Sequence, residues 1–207
     1  MIAAAAPQPL AAQWRVEGWF GDAVQLPTPV TFHQAGHADI SVTGDWATHP
    51  WEPTWYYGGE IAHWSGNDGW GFQYTHHKMY MENPPPDVQY FRITNGVNFL
   101  LVERMHRSHG WEFGIAAGPV LAVPVSEVRG LKYGQAHGIF HSQYEFGGAG
   151  LEADVTRRLR LLPFTYGLIS LKGTAAYLHV PIANGHAQTT DFALHIQYGL
   201  SLQSKPK

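Results

Sequence analysis

The run Thr75-His76-His77-Lys78-Met79-Tyr80 gathers four side chains able to do chemistry. An imidazole can move a proton near neutral pH or ligate a metal. A lysine ammonium holds a phosphate as a point charge, and a phenol donates a hydrogen bond. Together they suit an anionic sugar-lipid, with His76 or His77 as base or metal ligand and Lys78 on a phosphate. The spacing matches no zinc signature, and the chain has no Cys, which excludes thiolate zinc sites and disulfides. The plainer reading is an interfacial girdle, with Tyr at headgroup depth, Lys reaching for phosphates and His filling in.

Two further groups carry potential chemistry. Asp39, Asp45, Glu60 and Glu112, with Glu103, Glu152 and Asp154 as further candidates, fall on one face of alternating segments that Lys172 and His195 share. They are expected inside a narrow barrel as an ion-pair and hydrogen-bond network, with a proton relay or metal site as the lesser reading. His141-Ser142, with Glu145 and Glu152 nearby, invites a Ser/His/Glu hydrolase reading. Neighbours on a strand point to opposite faces, so His141 reaches Ser142 only across a bulge.

The elements that must position these groups are strands. No stretch keeps a 3.6-residue period, and 23 Gly and 14 Pro interrupt the chain. Alternation of period two is widespread. At the C-terminal end Phe192, Leu194, Ile196, Tyr198, Leu200 and Leu202 share one face, while His195, Gln197 and Ser201 lie on the other. Strands are expected near 14–20, 38–47, 55–64, 70–80, 96–106, 111–122, 139–157, 164–178 and 190–202. The polar faces are rich in Gly, Ser, Thr and Gln, and aromatics fall at strand ends (Trp55, Tyr56, Tyr57, Trp64, Trp70, Tyr80, Trp111, Tyr177). Both features favour a barrel with its apolar face toward lipid over a soluble barrel or sandwich.

The expected fold is therefore all-β: an eight-stranded antiparallel transmembrane up-and-down barrel over residues 14–203. Residues 1–13 read as a signal-peptide remnant or a disordered leader. Short links at 65–69, 107–110 and about 158–163 alternate with longer ones at about 81–95, 123–138 and 179–189. That alternation makes 38–47 the first stave, 190–202 the eighth, and leaves 14–20 as a partial or peripheral element. Short turns lie on the periplasmic side. A tight turn at Asn67-Asp68 would pair residues whose numbers sum to 135, placing Glu60 opposite Thr75 and sending the His76–Tyr80 end toward the cell exterior. With uninterrupted alternation His77 faces the lumen and His76 the lipid headgroups; a bulge near Thr75 would exchange the two.

Composition fits a membrane wall. Charged residues are 14% of the chain, against roughly a quarter in typical globular chains, and aromatics are also 14%. The net charge of −3 gives no basic footprint for nucleic acid. Outer-membrane lipids and lipopolysaccharide are the expected partners, and a monomer the expected state.

Several motifs carry a family resemblance. Tyr56-Tyr57-Gly58, Thr75-His76 with Lys78 and Tyr80, Gly96 with Asn98, Pro124 with Glu127-Val128, and Lys172-Gly173 occur in order between about 53 and 202. This series resembles the rhizobial lipid A oxidase family. Two positions depart from it: Val125 stands where the family carries a His, and Glu60 where it carries a basic residue. The resemblance implies an outer-membrane barrel and oxygen-dependent oxidation of the proximal glucosamine of lipid A, drawing on molecular oxygen and a divalent metal. Candidate catalytic residues are then His76, His77, Tyr80 and Glu127. Lys78, Asn98 and Tyr57 would bind substrate, with Glu127 and Asn98 orienting the sugar. A non-catalytic small barrel for envelope integrity, adhesion or docking is the alternative.

Overall fold

The computed structural model describes residues 12–134 and 143–204. Eight long strands close into a barrel: β1 (Ala12–Gln25), β5 (Tyr57–Ser65), β6 (Asp68–Met81), β7 (Val88–Ser108), β8 (Trp111–Val128), β10 (Glu145–Leu162), β11 (Thr165–Ile182) and β12 (Gly185–Gln203). Each pairs antiparallel with its neighbour, and pairing of β1 with β12 shuts the ring. Four short strands, β2 (Thr28–Gln34), β3 (Ile40–Gly44), β4 (Trp46–Ala47) and β9 (Leu131–Tyr133), extend one end.

The stave count agrees with expectation, but the first stave does not. Residues 14–20 belong to β1, a full wall strand bonded to both β5 and β12. Residues 38–47 instead form β3 and β4 of the extension. The alternation of Ile40, Val42 and Trp46 against Asp39, Ser41, Thr43 and Asp45 is genuine, but its apolar side packs on a buried core. Asp39 and Asp45 are accordingly exposed, outside the lumen.

Alternation reverses its meaning along the barrel. In the lower part the outward residues are apolar and exposed, among them Val16, Ile61, Phe72, Val102, Phe113, Ile115, Leu171, Leu194 and Ile196. Inward residues there are Arg15, Glu17, Glu60, Gln73, Glu103, Glu112, Glu152, Lys172 and His195, all buried. Such a wall is stable against hydrocarbon. Toward the extended end the inside becomes apolar (Val30, Phe32, Met79, Phe91, Ile93, Val128, Val180 and Ile182 form one cluster). His33, His179 and His186 turn outward there. That is the pattern of a protein in water. A membrane β-strand needs about 9–11 residues, so strands of 18 to 21 residues project well beyond the bilayer. The link expected at 179–189 is consequently strand on both sides, with Ile182 paired to Gly185.

The links at 66–67, 109–110 and 163–164 lie at the opposite end and are periplasmic by the same convention. The first corrects the expected register. Ser65 pairs with Asp68, so the turn is Gly66-Asn67 and paired numbers sum to 133: Glu60 meets Gln73, and Tyr57 meets His76. Slipping by two residues leaves every side chain on its expected face. His77 points inward and His76 outward.

Side chains fill the lumen. Near the periplasmic end Arg15 bonds Glu112 (2.6 Å) and Glu17 (3.2 Å), while Arg158 pairs with Glu17 (2.7 Å) and with Glu112. Trp64, expected in the girdle, is buried beneath Arg107 and Arg15. Above this layer Lys172 contacts Glu152 (2.8 Å) and Gln73 (2.7 Å), and Gln73 donates to Glu103 (3.0 Å). Higher still, Tyr56 is likewise internal and bonds His195 (2.9 Å). The charged layers leave a cavity of about 20 Å³, about enough for one water. Burying these charges is tolerable because each has a partner.

Candidate functional site

His76 sits on the outer wall, one rung above the apolar belt of β6, whose outward residues below it are Trp70, Phe72 and Tyr74. A rung of paired residues runs Phe20–Tyr57–His76–Asn98–Leu121 across β1, β5, β6, β7 and β8. Directly paired residues share a face. Three separate motifs of the sequence thus meet: Tyr57, His76 and Asn98. Despite facing outward, His76 is only 1% exposed.

Its cover is built by an irregularity in β7. Between Ile93 and Val97 the ladder breaks, so that residues 94–96 stand opposite the single residue Lys78. Gly96 adopts φ 98°, and a Cβ there would collide with Nδ1 of His76. Only glycine serves at such a point. On the other side the Tyr57 ring stacks at 4.9 Å, and Thr54 reaches across to the carbonyl of Thr94 (3.3 Å).

The hydrogen bonds fix proton positions. Asn98 Nδ2 donates to the carbonyls of Gly96 (2.8 Å), Asn95 (3.1 Å) and Leu121 (3.2 Å). Its Oδ1 must then be the acceptor for Tyr74 (2.6 Å) and for Nδ1 of His76 (2.9 Å). The neutral imidazole so bound carries its proton on Nδ1 and a lone pair on Nε2. That Nε2 is buried and has no partner among the described residues. Tyr74, having spent its proton on Asn98, can accept one from Tyr57 at 3.4 Å.

The remaining candidates lie elsewhere. His77 points into the lumen, where its Nε2 meets Asp191 (2.8 Å) and its ring lies against His195 and Phe99. Lys78 donates to the carbonyl of Glu52 (2.9 Å) and lies 5.5 Å from the Tyr80 ring. Tyr80 packs against His49, which bridges Glu52 and Glu82. Glu127 is on β8 beside Tyr90, in reach of Lys132 (3.7 Å). The pair His141-Ser142 lies outside the described residues. Sequence reasoning missed Tyr74, although alternation in WGFQYTHH already puts it on the face of His76.

No family model matches the chain, and no curated protein matches it. Solved structures do. The chain is similar to outer membrane protein AlkL, determined in lipid bilayers by solid-state NMR: 11% identity, 99% of this chain and 96% of that one, TM-score 0.51. OprG from Pseudomonas aeruginosa (10% identity, 95% and 97% covered, TM-score 0.49) and Neisserial surface protein A (8%, 92% and 96%, 0.43) are looser likenesses. This is a small outer-membrane β-barrel. At such identities the likeness is one of fold, and the barrel's chemistry rests on its own residues.

Among the described residues no three His, Asp or Glu side chains gather to hold a divalent metal. The wall cluster offers a single imidazole and no carboxylate. What it does offer is a lone pair held by a fixed tautomer, one rung above the outward apolar belt of β6.

Proposed function

We propose that the barrel recognises lipid A from its outer wall and modifies it there, with His76 Nε2 receiving a proton from a sugar hydroxyl once the cover formed by Tyr57 and residues 94–96 opens. The observation that carries this reading is the buried, unpartnered Nε2 on a lipid-facing wall. His77 Nδ1 in the lumen is also buried without a partner among the described residues, so what sets His76 apart is its place on the outward face beside Tyr57 and Asn98. The filled lumen supports it too, since ion-paired side chains block solute passage and leave the exterior wall as the accessible surface.

The motif resemblance points to oxidation of the proximal glucosamine. In that reaction the C1 hemiacetal gives up its C1 hydrogen and hydroxyl proton, and its two electrons would reach molecular oxygen, which becomes hydrogen peroxide, through a bound redox carrier, since ground-state oxygen takes no hydride directly. The resulting lactone takes up water to give the aminogluconate acid. His76 would take the hydroxyl proton, and Asn98 would hold its tautomer.

A second reading is a barrel that binds lipid A without altering it. It is favoured by the position of Glu127, paired with Lys132 on the projecting end, and by the lack, among the described residues, of a carboxylate hydrogen-bonded to His76. Mass spectrometry of lipid A from cells with and without the protein separates the two. Modification predicts a species heavier by one oxygen; identical spectra overturn the enzymatic reading.

A further inference from the structure

Below the His76 rung, the next outward rung runs Leu200–Gly18–Gly59–Tyr74 across β12, β1, β5 and β6. Two adjacent strands thus present glycine side by side on the lipid face. The rung above them carries Phe20 and Tyr57, and the rung below carries Val16 and Ile61. The result is a trough in the wall. Its upper part opens into a groove of about 720 Å³ walled by Phe20, Tyr57, Trp55, Pro53 and Leu200. Phe20, Trp55 and Leu200 are each more than half exposed. The trough ends at Tyr74, whose hydroxyl belongs to the His76–Asn98 cluster.

We infer that this trough seats one acyl chain of lipid A, laying it across β1 and β5 so that the attached sugar lies against Tyr57 and Tyr74, at the edge of the cover over His76. The inference rests on the proposed function and names the part of the substrate that the wall itself holds. Three observations select the occupant. The trough is continuous with the apolar belt, so hydrocarbon covers it. Along its rung Gly59 is followed by Tyr74, whose hydroxyl with that of Tyr57 forms a polar end that suits a sugar head. It lies at the extracellular margin of the belt, the leaflet that holds lipid A. Binding gains from burying the methylenes of the chain against aromatic walls, and the fixed trough lowers the ordering cost.

Gly18 gives a clean test. A Cβ added there meets nothing nearer than the Gly58 carbonyl at 3.8 Å, so a larger side chain enters the trough and not the wall. The wild type, Gly18→Ala, Gly18→Trp and His76→Gln are purified in detergent, checked for folding by heat-modifiable migration, and examined by native mass spectrometry. The probes are lipid A and a phosphatidylglycerol. Wild type should retain lipid A in preference to the phospholipid. Gly18→Trp should weaken lipid A retention by about tenfold or more, with Gly18→Ala in between. Unchanged retention in a folded Gly18→Trp protein overturns the trough, and equal retention of the two lipids overturns its assignment to lipid A. The function is judged apart: if His76→Gln abolishes modification while Gly18→Trp changes nothing, the reaction stands and the trough falls. If Gly18→Trp releases lipid A that the wild type holds but never modifies, the trough stands and the reaction falls.

Discussion

Nδ1 of His76 lies 2.9 Å from Oδ1 of Asn98, and the three carbonyls around Nδ2 of that amide leave no doubt which end faces the ring. One side chain therefore sets the tautomer of another across two strands. Asn98→Leu should remove that control. Tyr74 and His76 would lose their acceptor, at about 1–3 kcal/mol for each buried group left unpaired. Imidazole nitrogen-15 shifts should report a single Nδ1-protonated ring in wild type and a mixture in the variant. An unchanged ring would show that Asn98 does not govern it.

His77 should behave differently from its neighbour. It is buried in the lumen beside Asp191, which also accepts from Gln25 (2.9 Å). His77→Leu leaves a buried carboxylate short of a partner, and breaking such a pair costs about 3–5 kcal/mol. Urea unfolding in lipid vesicles should show the loss, while lipid A chemistry in the folded fraction stays at the wild-type level. A stable variant with altered lipid A would place the chemistry in the lumen.

Much of this was legible in the sequence because lipid and water impose opposite patterns on a period-two chain. Most wall strands, the inward Glu60, Glu112 and Lys172, and the opposite faces of His76 and His77 followed from alternation, while the count of eight came from link lengths and the even number of a barrel. Alternation alone could not separate a membrane stave from a strand that projects into water, since Ile40 and Val42 repeat as regularly as Val16 and Phe20. Hence 38–47 took the place of 14–20. The turn at residues 66–67 was read one residue late because Gly66 and Gly69 both flank plausible pairs. The cover over His76 depends on the irregularity at residues 94–96, which no periodicity announces; Gly96 was its only trace.

The Glu152–Lys172 pair offers a double-mutant test of the lumen. Glu152→Leu should destabilise the barrel by about 3 kcal/mol, near the lower end for a broken buried pair, because Gln73 and Thr75 remain beside the ammonium. Adding Lys172→Met should recover most of the loss. Additive losses in urea unfolding would mean that the two charges act independently.

The projecting end should respond to acid. His186 lies on β12 beyond the apolar rungs, facing His33 of β2 at 4.6 Å and His179 of β11 at 4.4 Å between ring centres, with Asp39 bonded to His33. Burial, then the neighbouring His179 and His33, push its pKa below the usual histidine value, against a smaller pull from Asp39. A depressed folded pKa means that the unfolded segment binds the proton more readily. The stabilising contribution is therefore present above pH of about 6.5 and is lost as pH falls below it. Amide protection factors at β2 and the β11–β12 tip, taken relative to intrinsic exchange at each pH, should fall between neutral pH and about pH 5 and should recover in His186→Gln. Equal protection at both pH values would contradict this.

The most direct test uses purified barrel in vesicles containing lipid A, under air, with mass spectra taken over time. Wild type and His77→Gln should convert lipid A to a species with one added oxygen. His76→Gln should slow that conversion by about 10²-fold or more, the usual worth of a general base. No product from folded wild type, or undiminished product from His76→Gln, would contradict the assignment of lipid A chemistry to the outer wall.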